Sequence, residues 1–124
     1  MADKLAFLIW AATPDHPELV VTPLVHALAA RALDAEVEIH FAGPAVRWLL
    51  EGVADAAYAT PDKEKSVGDF LREVEQEGVM LYACGMAQAH WAKSGERLLP
   101  GARHAGATAF VVRALDPEWR TLTY

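Results

Sequence analysis

Short apolar runs of strand length alternate with stretches of helical period along the chain, and that alternation constrains the fold more than any other feature. Residues 4–10 form an apolar run bounded by Thr13, Pro14 and Asp15, which predicts a strand buried on both faces. Residues 36–42 alternate charged and apolar side chains, placing Val37, Ile39 and Phe41 on one face of a strand whose other side is less buried. Residues 79–83 are an unbroken apolar strand, 103–106 a weak one, and 119–123 a closing one.

Helical stretches lie between them. Residues 17–33 carry Val21, Leu24, Val25 and Leu28 as one stripe, opened either by Pro17 in the first turn or by a Thr22 cap before Pro23. Gly43 and Pro44 open a second helix with Val46, Leu49, Leu50 and Val53 at i, i+3, i+4, i+7. After the polar connection 60–65, Ser66 and Asp69 read as a capping box for a helix to Glu77 that turns Val67, Phe70, Leu71 and Val74 inward and ends at Gly78. Residues 86–93 and 108–115 complete the set. Each parallel crossover needs about a dozen residues. Five strands separated by helices therefore predict a three-layer α/β/α sandwich with a five-stranded, mostly parallel sheet. At 124 residues the expectation is one domain, 1–124.

Charge and cysteine usage narrow the function. The chain has 11 Lys+Arg against 17 Asp+Glu, a formal charge of −6, which argues against a broad nucleic-acid-binding surface. A hydrophobic fraction of 53% with 23% charged residues is that of a globular protein. No apolar run approaches the ~20 residues that cross a bilayer. Asp3 cancels Lys4 ahead of the first run, favouring a buried strand over a secretory signal and the cytoplasm as compartment. One cysteine excludes an internal disulfide, a Cys-x-x-Cys pair and an all-thiolate zinc site, leaving a solitary thiol.

That thiol, Cys84, follows the 79–83 strand and precedes a helix start by two residues. Ligands gather outside the carboxyl ends of strands in such sheets. A helix N-terminus offers unpaired amides and partial positive charge, both favouring thiolate over thiol. Gly85 leaves the approach to sulfur open. The competing reading is a small buried hydrophobe, the commoner fate of a free cysteine. His16, His26, His40, His90 and His104 contain no pair at i, i+3 or i, i+4, so no metal site is expected. The loop after the first strand opens on the same sheet edge as Cys84, which makes Thr13 and His16 auxiliary candidates, or merely solvated loop residues. G-x-x-x-x-G-K-[ST], G-x-G-x-x-G and G-x-S-x-G are absent, and no carboxylate couple stands out. Trp48, Trp91 and Trp119 mark either a subunit interface or the core.

The segment Val79-Met80-Leu81-Tyr82-Ala83-Cys84-Gly85-Met86-Ala87 resembles the strand–cysteine–helix unit of the DsrE/DsrF-like family of small sulfur-relay proteins. Leu98-Leu99-Pro100-Gly101, Gly106-Ala107-Thr108-Ala109-Phe110 and the closing Leu122-Thr123-Tyr124 follow in the same order. The resemblance implies a DsrE-like fold, a homo- or hetero-oligomer, no cofactor, and a persulfide carried on Cys84. The terminal sulfur would rest on the amides of Gly85, Met86 and Ala87, with small TusA-like or rhodanese-like carriers as donors and acceptors. The chain departs from members with a vicinal cysteine pair, so a partner thiol must resolve the persulfide. Two rival readings are a non-catalytic partner-docking subunit and a peroxide-reactive sensor passing through sulfenic acid.

Overall fold

The computed structural model describes residues 3–124, so the first two residues of the expected domain lie outside those described. The strands β1 (Lys4–Ile9), β2 (Glu36–Phe41), β3 (Met80–Ala83), β4 (Ala102–His104) and β5 (Trp119–Thr123) form one sheet in the order β4-β3-β2-β1-β5. Every pairing is parallel, with Phe7 beside Ile39, Ile39 beside Leu81, and Leu5 beside Arg120. The helices are α1 (Glu18–Ala32), α2 (Val67–Gln76), α3 (Gly85–Trp91) and α4 (Ala107–Leu115).

The two-residue period of the strands divides the sheet into unequal faces. Phe7, Ile9, Val37, Ile39, Phe41, Leu81 and Ala83 join Val20, Leu24, Leu71 and Val74 of α1 and α2 in the main core. On the opposite face α4 is the helix that packs on β1 and β5, and none of its residues is fully buried. The sandwich has the expected three layers, with one of them thin.

Four local expectations are corrected. Pro17 is the N-cap of α1, Pro23 lies inside the helix, and the buried stripe is Val20, Leu24, Ala27 and Ala30. Small alanines let the helix sit close on the sheet, which turns Val25 out to solvent. Residues Gly43–Leu49 form a 3-10 helix, not an α-helix reaching Val53. Leu49 O accepts from Leu99 N and Glu51 N donates to Arg97 O, both at 2.8 Å, so a bridge to the segment before β4 takes the bonds a longer helix would need. The second face of β2 is not the less buried side, since Glu38 and His40 are both covered. β4 spans Ala102–His104, starting one residue before and ending two residues before its expected bounds, whereas β5 spans the expected 119–123.

Trp48 and Trp119 belong to the interior and Trp91 is exposed. Trp48 Nε1 donates to Ala12 O at 2.7 Å, which ties the 3-10 turn to the loop after β1. The expected capping box is present: Ser66 Oγ accepts from Asp69 N and Asp69 Oδ2 accepts from Ser66 N. Gly78, at φ +89, makes the turn into β3.

Candidate functional site

Cys84 continues β3 by one residue. Its amide donates to Phe41 O at 3.0 Å, and its carbonyl accepts from Gln88 N at 2.9 Å as the N-cap of α3. Strand ladder and helix thus fix the cysteine backbone from both sides, at the carboxyl edge of the sheet. Alternation gives Cys84 the parity of Tyr82, which turns it to the thin-layered face. The sulfur belongs to a half-buried residue that lines a cleft of about 370 Å3 with Leu8, His40, Gly106, Phe110 and Val111.

Gly85 and Met86 are exposed, Met86 at 84%, whereas Ala87 packs inward against the core. The first amides of a helix lack intrahelical acceptors, and in α3 these are the amides of Gly85, Met86 and Ala87. Gly85 has no left-handed backbone requirement, and a methyl group there would make ordinary contact with His104 at 3.8 Å. His104 Nε2 lies 2.5 Å from Gln88 Oε1, fastening β4 to α3.

Thr13 and His16 are not among the residues lining this cleft. His16 is exposed and faces Glu18 at 3.5 Å, and Thr13 O accepts from His16 N in the same loop. The cleft's polar wall is His40 of β2, with Glu38 behind it. His40 is 4% exposed and Glu38 6%, and His40 Nε2 donates to Glu38 Oε1 at 2.9 Å. Arg113 of α4 reaches across with Nε at 2.8 Å from Glu38 Oε1 and one terminal nitrogen at 3.3 Å from Oε2. Burial pushes the Glu38 carboxyl up, but the hydrogen bonds from His40 and Arg113 outweigh it and hold the group below the ordinary carboxylate range. His40 stacks on Tyr82 at 5.0 Å between centroids and meets Phe110 edge-on at 5.4 Å.

These three residues were missed in the sequence because Arg113 lies 75 residues from Glu38. The available signal was Glu38-x-His40, two ionisable side chains two apart on a strand and hence on one face.

Two other clefts, of about 310 Å3 beside Leu50 and Arg72 and about 600 Å3 beside Tyr58 and Lys63, are lined by neither cysteine nor histidine. Among the described residues, no group of three or more His, Cys, Asp or Glu is arranged to hold a metal ion. No helix among them is long and apolar enough to cross a membrane.

The sequence model of the DsrE/DsrF-like family matches residues 4–124. The crystal structure of the ychN protein from E. coli is similar at a TM-score of 0.78 and 17% identity, covering 98% of this chain and 99% of that one. The structure of MTH1491 from Methanobacterium thermoautotrophicum, described as a protein of unknown function, gives 0.68 at 17% identity with the same coverage. No curated protein sequence matches the chain. At such identities the two structures establish the fold.

Proposed function

The chain belongs to the DsrE/DsrF-like family, a group associated with sulfur relay, and from that premise we propose that it is a sulfur carrier that accepts a persulfide sulfur on Cys84 and passes it to a partner thiol. The observation that carries the reading is the half-buried Cys84 side chain opening on a cleft at the carboxyl edge of the sheet.

The Cys84 thiolate attacks the outer sulfur of a donor persulfide R–S–SH. The donor S–S bond breaks, the electron pair leaves on R–S⁻, and the outer sulfur becomes Cys84–S–SH. One S–S bond is exchanged for another, so no external oxidant or reductant enters. The amides of Gly85, Met86 and Ala87 hold the terminal sulfur while it is anionic. An acceptor thiolate then repeats the exchange in the other direction. Protein donors and acceptors of the TusA-like or rhodanese-like kind are the partners, in a reducing cytoplasm that keeps the lone thiol free. The exposed Val111, Val112 and Leu115 on α4 support assembly as a homo-oligomer, because apolar side chains grouped on a thin layer gain from being covered.

Radiolabelled polysulfide tests the relay. Loaded, desalted protein transfers label to a rhodanese-like or TusA-like carrier, and Cys84→Ser neither takes up nor passes it. Label that stays on the chain in the presence of every carrier refutes the relay. The same exposed α4 surface favours a second reading, a partner-docking subunit without sulfur chemistry, which full biological activity of Cys84→Ser would select.

A further inference from the structure

His40 carries an unused hydrogen-bonding atom. Nε2 is committed to the Glu38 carboxylate, and Arg113 holds that carboxylate from the other side. In the neutral ring the proton therefore sits on Nε2, and Nδ1 presents a lone pair. Nδ1 is buried and has no partner among the described residues. A buried acceptor without a donor is costly, and such atoms in native proteins call for an explanation. Tyr82 stacks on one side of the ring, and Phe110, which also lines the cleft, meets it edge-on, so a ligand in the cleft reaches Nδ1 when Phe110 gives way. His40 forms part of the wall of the cleft that contains Cys84.

The cleft's chemistry indicates what satisfies that atom. No Lys, Arg, Asp or Glu lines it, and Leu8, Phe110 and Val111 supply apolar walls. Its volume of about 370 Å3 falls within the usual range of small-molecule sites, roughly 300–1,000 Å3. A ligand that fits has a compact uncharged apolar body and one donor hydrogen.

We infer that this cleft is an acceptor subsite for a compact apolar thiol, with His40 Nδ1 as the base that takes its proton. The inference rests on the persulfide reading of Cys84 and adds the route by which sulfur leaves. The incoming R–SH donates its S–H to His40 Nδ1 and becomes R–S⁻. That thiolate attacks the outer sulfur of Cys84–S–SH, the Cys84 S–S bond breaks, and its electron pair remains as Cys84–S⁻. The product is R–S–SH, and the imidazolium returns its proton to solvent or to the Cys84 sulfur. Glu38 is a positioning residue, since it fixes the tautomer and faces the charge that forms on the ring.

The test uses polysulfide-loaded full-length protein in single turnover, with phenylmethanethiol as the acceptor. His40→Gln keeps an amide donor near Glu38 but removes the acceptor at Nδ1. The expected result is normal loading with outflow slowed roughly 100-fold, the lower end of general acid–base effects. Outflow equal to wild type in a folded, loaded His40→Gln overturns the base assignment and leaves persulfide carriage standing. Failure of the wild-type protein to load overturns the persulfide reading itself. A second arm needs no variant: at equal concentration of the protonated thiol the wild-type protein discharges to phenylmethanethiol at least tenfold faster than to 2-mercaptoethanesulfonate. Equal rates to the two thiols overturn the apolar acceptor class.

Discussion

Glu38 and His40 stand two residues apart on one face of β2 with their side chains 2.9 Å from each other, both more than nine-tenths buried. Glu38→Ala removes the group that serves both His40 and Arg113 and leaves a buried ring without its acceptor. The expected loss is about 3 kcal/mol, read from urea unfolding, as for other broken buried pairs. The pH dependence has a definite sign. A carboxyl held below its ordinary value of 4.5 contributes stability that is present above that value and is lost as pH falls through the lower, folded value. Wild type therefore loses stability on acidification faster than Glu38→Gln, and parallel acid curves for the two would contradict the ion-pair geometry.

Arg47 clamps the segment after α3. One terminal nitrogen lies 2.8 Å from Glu96 Oε1, the other 2.9 Å from Oε2, and the first also donates to Trp91 O at 3.0 Å. The Arg47 hydrogen bonds, helped by the Lys93 amide, draw the Glu96 carboxyl down to about 2. The contribution of this clamp is thus present above pH 4.5 and disappears as pH falls through about 2. A carboxyl carbon titration by NMR should place the Glu96 midpoint near the lower figure. A midpoint at the ordinary value would show that the clamp does not persist in solution.

Trp48 is fully buried and donates to Ala12 O at 2.7 Å. Trp48→Phe removes that donor and part of the ring volume, leaving an unpaired carbonyl and a void. Roughly 2–4 kcal/mol of stability should be lost. A urea midpoint within error of wild type would show that the indole is not what ties the loop after β1 to the 3-10 turn.

Leu115 and Val112 are exposed apolar residues of α4. If that face is covered by a second copy, Val112→Asp combined with Leu115→Asp converts the assembly to monomer without loss of helix signal. Sedimentation velocity decides it: an unchanged sedimentation coefficient in the double variant would remove α4 from the interface.

The strands were legible because parallel strands buried on both faces leave near-continuous apolar runs, as in Phe7–Leu8–Ile9 and Leu81–Tyr82–Ala83. Ser66 and Asp69 announced their helix for an equally local reason, since both capping bonds close within four residues. The Gly43–Leu49 segment misled because its helical spacing is real, yet the bonds that end it come from Arg97 and Leu99, about 50 residues away. Cys84 was visible at the junction of two patterns. Its surroundings were not: His40 reaches the cleft through sheet pairing, and Arg113 reaches Glu38 through the docking of α4, neither of which leaves a trace in local spacing. The loop after β1 opens at the same edge, which made Thr13 and His16 auxiliary candidates, but His16 N donates to Thr13 O and its exposed ring faces Glu18, the solvated alternative.

Intact-mass spectrometry of the fully reduced protein after exposure to inorganic polysulfide tests persulfide carriage most directly. Wild type should gain the mass of a single sulfur atom per chain, removable by a thiol reductant, while Cys84→Ser stays at its starting mass. A wild-type mass that does not move under excess polysulfide, or an equal gain by the serine variant, would contradict the account.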